Sequence, residues 1–250
     1  GTFEFIELGE TANVQNSGTF NLTDTGANNN DVYLYIRGDN TGDALFTNLA
    51  DGVMNFHTGT SSLDRIRIDG ANRAYDHFVN DGTINVSSDG SGYTEFDNGV
   101  TFDNNGLVNV LGGILYLKGG NEGVTTGDFA VSSGATLNFD TNNSTFGSGT
   151  AITGAGTTRF NGGTSTFNTG ASLLTTGLTI SGGTVNIADD HTFGAATLSV
   201  GRLGGTGDLT FTGAVEFTQF YLDGAGTTTF DGTTTLSRAS TGTSEFIELG

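Results

Sequence analysis

A five-residue phrase recurs along the chain and constrains the fold more than any other feature. It starts with Gly and a small or branched residue, then alternates an apolar, a polar and a second apolar residue. Copies with Asn at the polar position begin at Gly18, Gly52, Gly82, Gly106 and Gly183. Because successive side chains of a β-strand point to opposite faces, the apolar pair faces a core and the Asn faces outward. The phrase predicts short strands, and helical periodicity is close to absent.

A second phrase predicts sharp corners between the strands. It contains an apolar residue, a charged residue, Gly and usually Asn two residues later, as at 36–40, 68–72 and 117–121 and, more weakly, at 222–226. Gly and Asn tolerate positive φ, which a tight corner requires. Strand, corner and strand without an intervening helix predict an all-β fold, a parallel β-solenoid with about 20 to 30 residues in each coil. At about 4.8 Å between coils, the chain would make roughly 8 to 12 coils.

The end of the chain repeats its beginning. Residues 242–250 read GTSEFIELG and residues 1–9 read GTFEFIELG, which gives a period of 241 residues. We therefore predict one solenoid module at 1–241 and the start of the next copy of a tandem array at 242–250. The predicted seam between modules consists of Glu4, Phe5, Ile6, Glu7 and Leu8 and their copies Glu245, Phe246, Ile247, Glu248 and Leu249.

Composition changes within the module but gives no domain boundary. Residues up to about 143 are rich in Asn, Asp and Tyr, and residues from about 144 to 241 are richer in Thr and Gly and more regular. No Pro-rich or charged linker separates the two halves. We therefore expect one continuous solenoid.

Charge and composition exclude several classes of partner. The 250 residues include 27 Asp and Glu against 8 Lys and Arg, for a formal net charge of −19, with no Pro and no Cys. Such a chain repels nucleic acid and anionic membrane surfaces and attracts cations. Calcium bound by surface Asp clusters fits this charge, although no ligands can be named, and no other cofactor is expected. The sequence has no apolar run of about 18 residues, so we expect no membrane span in it.

Two stretches resemble repeats of bacterial surface proteins. Residues 112–121, GGILYLKGGN, resemble a phrase of the passenger-associated repeats in bacterial autotransporters. Residues 181–187, SGGTVNI, are similar to the shorter form in filamentous-haemagglutinin-type adhesins. The resemblance implies a right-handed parallel β-helix that is exported to the cell surface for adhesion, biofilm or sheath formation.

Short motifs that could carry chemistry are better explained as corners. Asp189, Asp190 and His191 are the one place where two carboxylates adjoin a histidine. Adjacent strand residues point to opposite faces, so we interpret this segment as a solvated corner and expect no catalytic residue and no enzyme. Residues 204–211 resemble a calcium-binding nonapeptide but are one residue short before Asp208, and the Arg-Gly-Asp tripeptide at 37–39 coincides with the corner phrase.

A cluster of Tyr and Arg residues is predicted on one outer face. Alternation turns Tyr33, Tyr35 and Arg37 away from the core in one strand, and Arg65 and Arg67 in another. On neighbouring coils they would form a basic, aromatic patch suited to lateral contact with an acidic fibre or an acidic glycan. The alternative is a cross-strand ladder that only stabilises the sheet.

These features predict a structural extracellular fibre or adhesin shaft whose partners are copies of itself, end to end and laterally, and surface glycan. A trimeric phage tail fibre or spike is the first alternative. A β-helix polysaccharide lyase or hydrolase is the second, and it would need a groove rich in Asp, Arg and Lys, whereas the chain has a single Lys, Lys118.

Overall fold

The computed structural model describes residues 4–9, 11–24, 26, 31–37, 44–70, 76–237 and 247–249. These residues form strands and turns and no helix. They therefore include no helix that is long and apolar enough to cross a membrane. The strands are β1 (Glu4–Gly9), β2 (Asn13–Asn16), β3 (Thr19–Asp24), β4 (Val32–Arg37), β5 (Leu45–Asn48), β6 (Val53–Thr58), β7 (Arg65–Gly70), β8 (His77–Asn80), β9 (Thr83–Ser88), β10 (Tyr93–Phe96), β11 (Thr101–Asn104), β12 (Leu107–Val110), β13 (Ile114–Leu117), β14 (Asp128–Val131), β15 (Thr136–Phe139), β16 (Ser144–Phe146), β17 (Ala151–Phe160), β18 (Thr164–Phe167), β19 (Ser172–Ile180), β20 (Thr184–Ile187), β21 (His191–Phe193), β22 (Ala195–Gly205), β23 (Leu209–Phe211), β24 (Val215–Leu222), β25 (Thr228–Phe230), β26 (Thr234–Leu236) and β27 (Ile247–Leu249).

The strands stack as three parallel faces of one coil. Face A contains β1, β4, β7, β10, β13, β15, the second parts of β17 and β19, the first parts of β22 and β24, and β26. Face B contains β2, β5, β8 and β11, then Thr125, which forms an isolated bridge to Phe146, and then β16, β18, β20, the second parts of β22 and β24, and β27. Face C contains β3, β6, β9, β12, β14, the first parts of β17 and β19, then β21, β23 and β25. The predicted parallel β-solenoid is confirmed.

Coil length shortens along the chain. Tyr33 and its neighbour on the next coil, Arg67, are 34 residues apart, whereas Asp190 and its neighbour Asp208 are only 18 residues apart. Ten coils are complete, and β26 and β27 begin an eleventh, within the expected range. The two compositional halves are joined without a break, because β14 and β15 both pair with β17.

The core is a column of inward-facing apolar residues in which aromatic rings stack from coil to coil. The rings of Phe46 and Phe78 are stacked with centroids 5.0 Å apart, and those of Phe146 and Phe167 are stacked at 4.4 Å. Phe46 and Phe78, like Phe146 and Phe167, thus occupy equivalent core positions in successive coils, where each ring buries a large apolar area.

A second column, made of Asn, runs inside the corner between faces B and C. Asn16, Asn48, Asn80 and Asn104 donate one to the next from Nδ2 to Oδ1, each over 2.8 Å. Asn48, Asn80 and Asn104 are fully buried. Each buried amide finds its partner in an identical residue one coil away, so the corner keeps its shape in coils 1 to 4 without an unpaired polar group.

Glycine is required beside this column because the backbones come into close contact. A Cβ added at Gly82 would lie 2.3 Å from the carbonyl oxygen of Gly52, and one added at Gly106 would lie 2.1 Å from that of Gly82. The Gly of the recurring phrase therefore marks a corner where successive coils touch through their backbones.

The Asn residues within the phrases face outward, as predicted. Asn21, Asn55, Asn85 and Asn109 form an external ladder on face C, with Nδ2 to Oδ1 distances of 2.8, 2.8 and 2.9 Å. The same residue type thus forms one buried ladder and one solvent-facing ladder in the same coils.

We expect the two Asn ladders to differ in their contribution to stability. The Asn80→Ala variant leaves the buried amides of Asn48 and Asn104 each without one partner, which should lower the free energy of unfolding by about 2 to 3 kcal/mol. The matched variant Asn85→Ala, in the partly exposed ladder, should lose less than about 1 kcal/mol. Urea unfolding followed by circular dichroism measures both, and equal losses would show that burial of the ladder does not matter.

Candidate functional site

The structure brings the five predicted Tyr and Arg residues together on face A. β4 and β7 are neighbouring rungs, and Tyr33 lies opposite Arg67 in their register. Arg67 Nη1 donates to the Tyr33 hydroxyl over 3.3 Å, and the guanidinium of Arg37 lies 3.7 Å from the centre of the Tyr35 ring. Arg65 Nη1 donates to the hydroxyl of Tyr93 on the next coil over 3.2 Å. The five side chains thus lie in one region of face A.

Carboxylates that the sequence interpretation missed lie among these cations. Arg67 Nε lies 3.1 Å from Glu95 Oε1, and its Nη2 lies 2.5 Å from Asp97 Oδ2. The other Glu95 oxygen, Oε2, lies 2.8 Å from Lys118 Nζ. Residues 95–97 alternate polar, apolar and polar side chains as residues 65–67 do, so the same pattern one coil later could have revealed Glu95 and Asp97.

We call this set of side chains the face A ladder: Tyr33, Tyr35, Arg37, Arg65, Arg67, Tyr93, Glu95, Asp97 and Lys118. Glu95 and Tyr33 are only 5% and 8% exposed. Arg37 is also within 3.5 Å of Glu7, and Arg65 Nε within 3.0 Å of Asp31. The surface is balanced in charge rather than basic, which favours the stabilising cross-strand ladder, and its role in contact with a partner stays a prediction.

The charge pairing is visible in the pKa values of the cations. Burial lowers the pKa of Arg67, but the hydrogen bond to Tyr33 and the charges of Glu95 and Asp97 outweigh burial and raise it above its ordinary value. Burial also lowers the pKa of Lys118, and the hydrogen bond and charge of Glu95 again outweigh burial and raise it. Both cations are thus held charged by a shared carboxylate.

We expect Glu95 to be the residue on which the face A ladder depends most. The Glu95→Gln variant leaves Arg67 and Lys118 without their common carboxylate in a half-buried setting, which should cost about 1 to 3 kcal/mol of unfolding free energy. Glu122→Gln is the control, because Glu122 pairs with His77 while its side chain is 63% exposed. Chemical denaturation compares the two, and similar losses would contradict a special role for Glu95.

A second acidic group lies at the corner between faces C and A. Asp24, Asp31 and Asp64 are each 4% exposed. Asp24 Oδ2 accepts a hydrogen bond from the backbone N–H of Arg65 over 2.7 Å, and Asp31 Oδ2 accepts one from the Tyr33 hydroxyl over 2.9 Å. In the part of the chain that the structure describes, no three His, Asp or Glu side chains are placed to hold a metal ion, and calcium binding stays a prediction.

One buried and one half-buried carboxyl group, those of Asp24 and Asp69, lead us to expect higher stability in mild acid. Burial raises the pKa of Asp24 above 3.8, against the hydrogen bonds it accepts from Arg65 and Gly26, and burial likewise raises that of Asp69. A raised pKa in the folded state stabilises the fold below about pH 3.8, and this contribution is lost as pH rises through the folded-state pKa.

The net charge of −19 acts in the same direction, because protonation reduces repulsion within the folded chain. We therefore expect the urea midpoint to be higher at about pH 4 to 5 than at pH 7. In the Asp24→Asn, Asp69→Asn double variant this difference should shrink. A wild-type midpoint that rises between pH 4 and pH 7 would contradict this expectation.

The Asp189, Asp190 and His191 segment has a structural role at the corner between faces B and C. Asp189 Oδ2 accepts from the backbone N–H of Gly170 on the preceding coil over 2.6 Å, whereas Asp190 Oδ1 accepts from that of Asp208 on the following coil over 2.8 Å. The two carboxylates thus point in opposite axial directions and share no site.

His191 is a core residue in this segment, with 7% of its surface exposed. Its Nε2 accepts from the backbone N–H of Leu173 over 3.0 Å, and its Nδ1 lies 2.9 Å from the carbonyl oxygen of Asp189. Both ring nitrogens thus contact backbone groups, which hold the imidazole of His191 in place on face C. The expected corner is thus present, but its histidine is buried rather than solvated.

The remaining motifs are also explained by contacts between coils. Asp208, in the stretch that resembles a calcium nonapeptide, accepts from the backbone N–H of Thr227 over 2.7 Å. Arg37 of the Arg-Gly-Asp tripeptide belongs to the face A ladder, and Gly38 and Asp39 lie outside the described residues. His57 also contacts the next coil, with its Nδ1 3.0 Å from Ser87 Oγ and its Nε2 3.4 Å from Asp89 Oδ2. The Ser87 hydroxyl donates to the carbonyl oxygen of Phe56 on the preceding coil over 3.3 Å.

The predicted seam lies at the two axial ends of the solenoid. β1 is the first rung of face A, and its residues Ile6 and Leu8 lie opposite the buried Leu34 and Ile36. Phe5 and Ile6 are 60% and 48% exposed, because β4 covers β1 on one edge only. This end thus presents strand backbone and apolar side chains together.

The second copy of the segment is the last rung, β27. Ile247, Glu248 and Leu249 pair with Phe220, Tyr221 and Leu222 of β24 on face B. Glu245 and Phe246 lie outside the described residues. The last strand of the solenoid is therefore a copy of part of its first strand.

No family model, curated protein or solved structure matches the chain. The similarity to autotransporter-passenger and filamentous-haemagglutinin-type repeats, together with the right-handed coil it implies, thus stays a prediction.

Proposed function

We propose that the chain is a segment of a structural extracellular fibre or adhesin shaft, built from β-solenoid modules stacked end to end. One observation supports this more than any other. The parallel ladder starts with Glu4–Gly9 and ends with Ile247–Leu249, which are copies of one sequence segment. A tandem array of this module would therefore continue the ladder from each copy into the next.

The work of such a fibre is mechanical. Each coil donates and accepts backbone hydrogen bonds with the coils on either side, so axial cohesion needs no ligand or catalytic group. An uncovered terminal rung is an open sheet edge, which recruits further strands. In the array this edge is covered by the next copy, so the property that would favour aggregation of a free module becomes the joint of the fibre.

Charge and sequence resemblance support the proposed location. A rod with a formal net charge of −19 repels its neighbours laterally, so end-to-end growth is favoured over lateral aggregation. Residues 112–121 supply the link to exported bacterial repeats, and adhesion or biofilm formation at the cell surface belongs to the proposal on that basis.

Electron microscopy of material from the source, with its mass under denaturing conditions, tests the proposal. Filaments whose denatured mass is many times 25.7 kDa would support a covalent tandem fibre. Filaments that dissolve into pieces near that mass would support stacked subunits. Compact particles without filaments would overturn the structural-fibre function.

We expect purified copies of the chain to associate through the β1 end. The Ile6→Lys variant places a charge on the exposed core column and should abolish rods longer than one module, with little effect on the folded monomer. Leu111→Lys is the control, because Leu111 is 52% exposed after a strand in the middle of the solenoid. Negative-stain microscopy and light scattering measure rod length, and equal shortening by both variants would contradict axial association.

A further inference from the structure

We infer that successive modules are joined with a rotation of one face about the fibre axis, about 120° in a three-sided coil. The inference rests on the proposed tandem array and concerns the surface through which one module meets the next. It predicts that each module begins on face B of the module before it.

The placement of the two sequence copies carries the inference. In the first copy, Glu4–Gly9 is a rung of face A and pairs with β4. In the second copy, Ile247–Leu249 is a rung of face B and pairs with the second part of β24. The last rung of face A is β26, which stacks on the first part of the same β24.

The register of the segment is preserved across this change of face. Ile6 and Leu8 lie opposite Leu34 and Ile36, which are fully buried. Their counterparts Ile247 and Leu249 lie opposite Phe220 and Leu222, which are buried as well. A shift by one residue would move the apolar positions of a strand from the core face to the solvent face. The observed register avoids such a shift, because it keeps Glu7 and Glu248 at equivalent positions of the strand.

Spacing along the chain independently excludes the unrotated arrangement. A copy on face A in the register of the first copy would lie above β26, with Ile247 opposite Leu236. The stretch between those two positions is shorter than any coil in the described structure, the shortest of which joins Gly177 to Ala195. The observed pairing of Ile247 with Phe220 spans a longer stretch, which is still shorter than the coil that joins Val32 to Ile66. A tandem chain therefore reaches face B before it can complete a further turn.

The rotation sets the symmetry of the fibre surface. One period of 241 residues makes ten turns and one additional face. Three modules therefore make 31 turns, after which a module begins on the same face as the first. At about 4.8 Å per coil, a module spans about 50 Å and the full surface repeat about 150 Å. The face A ladder around Arg67 and Glu95 would then point in three directions in successive modules, so a fibre would present it to partners on every side.

Cysteine cross-linking in the 250-residue chain tests the placement directly, because the natural sequence has no Cys. Neighbouring parallel rungs are about 4.8 Å apart, within the Cα separation that a disulfide spans. The Tyr221→Cys, Glu248→Cys pair should be oxidised in most molecules, with loss of both free thiols and a linked peptide in the mass spectrum. The matched Ser237→Cys, Glu248→Cys pair, which an unrotated copy in the register of β1 would join, should keep its thiols. Preferential linkage of the second pair, or of neither, would overturn the inference.

Cryo-electron microscopy of the filaments separates this inference from the proposed function. A helical rise of about 50 Å with a rotation of about 120° between modules is the expected result. Filaments with that rise and no rotation would overturn the inference and leave the fibre function standing. The 221/248 cross-link in a chain whose source contains no filaments would leave the placement of β27 standing and overturn the fibre function.

Discussion

Parallel backbone hydrogen bonding between successive coils is the interaction on which the rest of this structure depends. It requires every rung to supply an N–H, which accounts for the absence of Pro, and it brings neighbouring coils close enough at the corners that only Gly fits at positions such as Gly82 and Gly106. The chain has no disulfide, and the described part has no helix that could pack on the sheets. Side chains therefore stabilise the fold mainly through contacts with the coils above and below them along the axis.

The side chains stack along that axis by type. Phe46 lies on Phe78, and Asn48 bonds to Asn80, while on the outer surface Arg67 is held by Glu95 of the next coil. Where a corner leaves backbone N–H groups without a strand partner, Asp189 and Asp190 accept their hydrogen bonds from the preceding and following coils. Residues that suggest chemistry in isolation, a pair of carboxylates and a histidine, are thus part of the structural ladder. The role of each of these residues depends on which residues of the neighbouring coils lie beside it, and the local sequence does not contain that information.

The sequence predicted what local pattern determines. Period-two alternation with Gly at fixed positions indicated strands and corners, and the outward Asn of the phrase at 82–86 followed from the same alternation. The sequence could not predict features that depend on register between coils, which long coils of variable length conceal. The balanced charge of the face A ladder is one such feature, because Glu95 lies 28 residues beyond Arg67. The buried role of Asn80 is another, since the phrase that revealed the external Asn ladder does not include it. The face on which the second copy of the seam lies also required knowing how many residues each coil uses.

Strand length gives the solenoid a direction. On faces A and C, β1, β3, β4, β6, β7 and β9 have six residues each, whereas β12, β13 and β14 have four, and β25 and β26 have three. At about 3.3 Å per residue, a six-residue rung is about 20 Å wide and a three-residue rung about 10 Å, so the module tapers from its first coils to its last. In an array the broad beginning of each module would rest on the narrow end of the one before, leaving a ledge at every joint. The two directions along the fibre axis would then differ, because every ledge would face the same end of the fibre. A molecule moving along the surface would meet these ledges from one direction only.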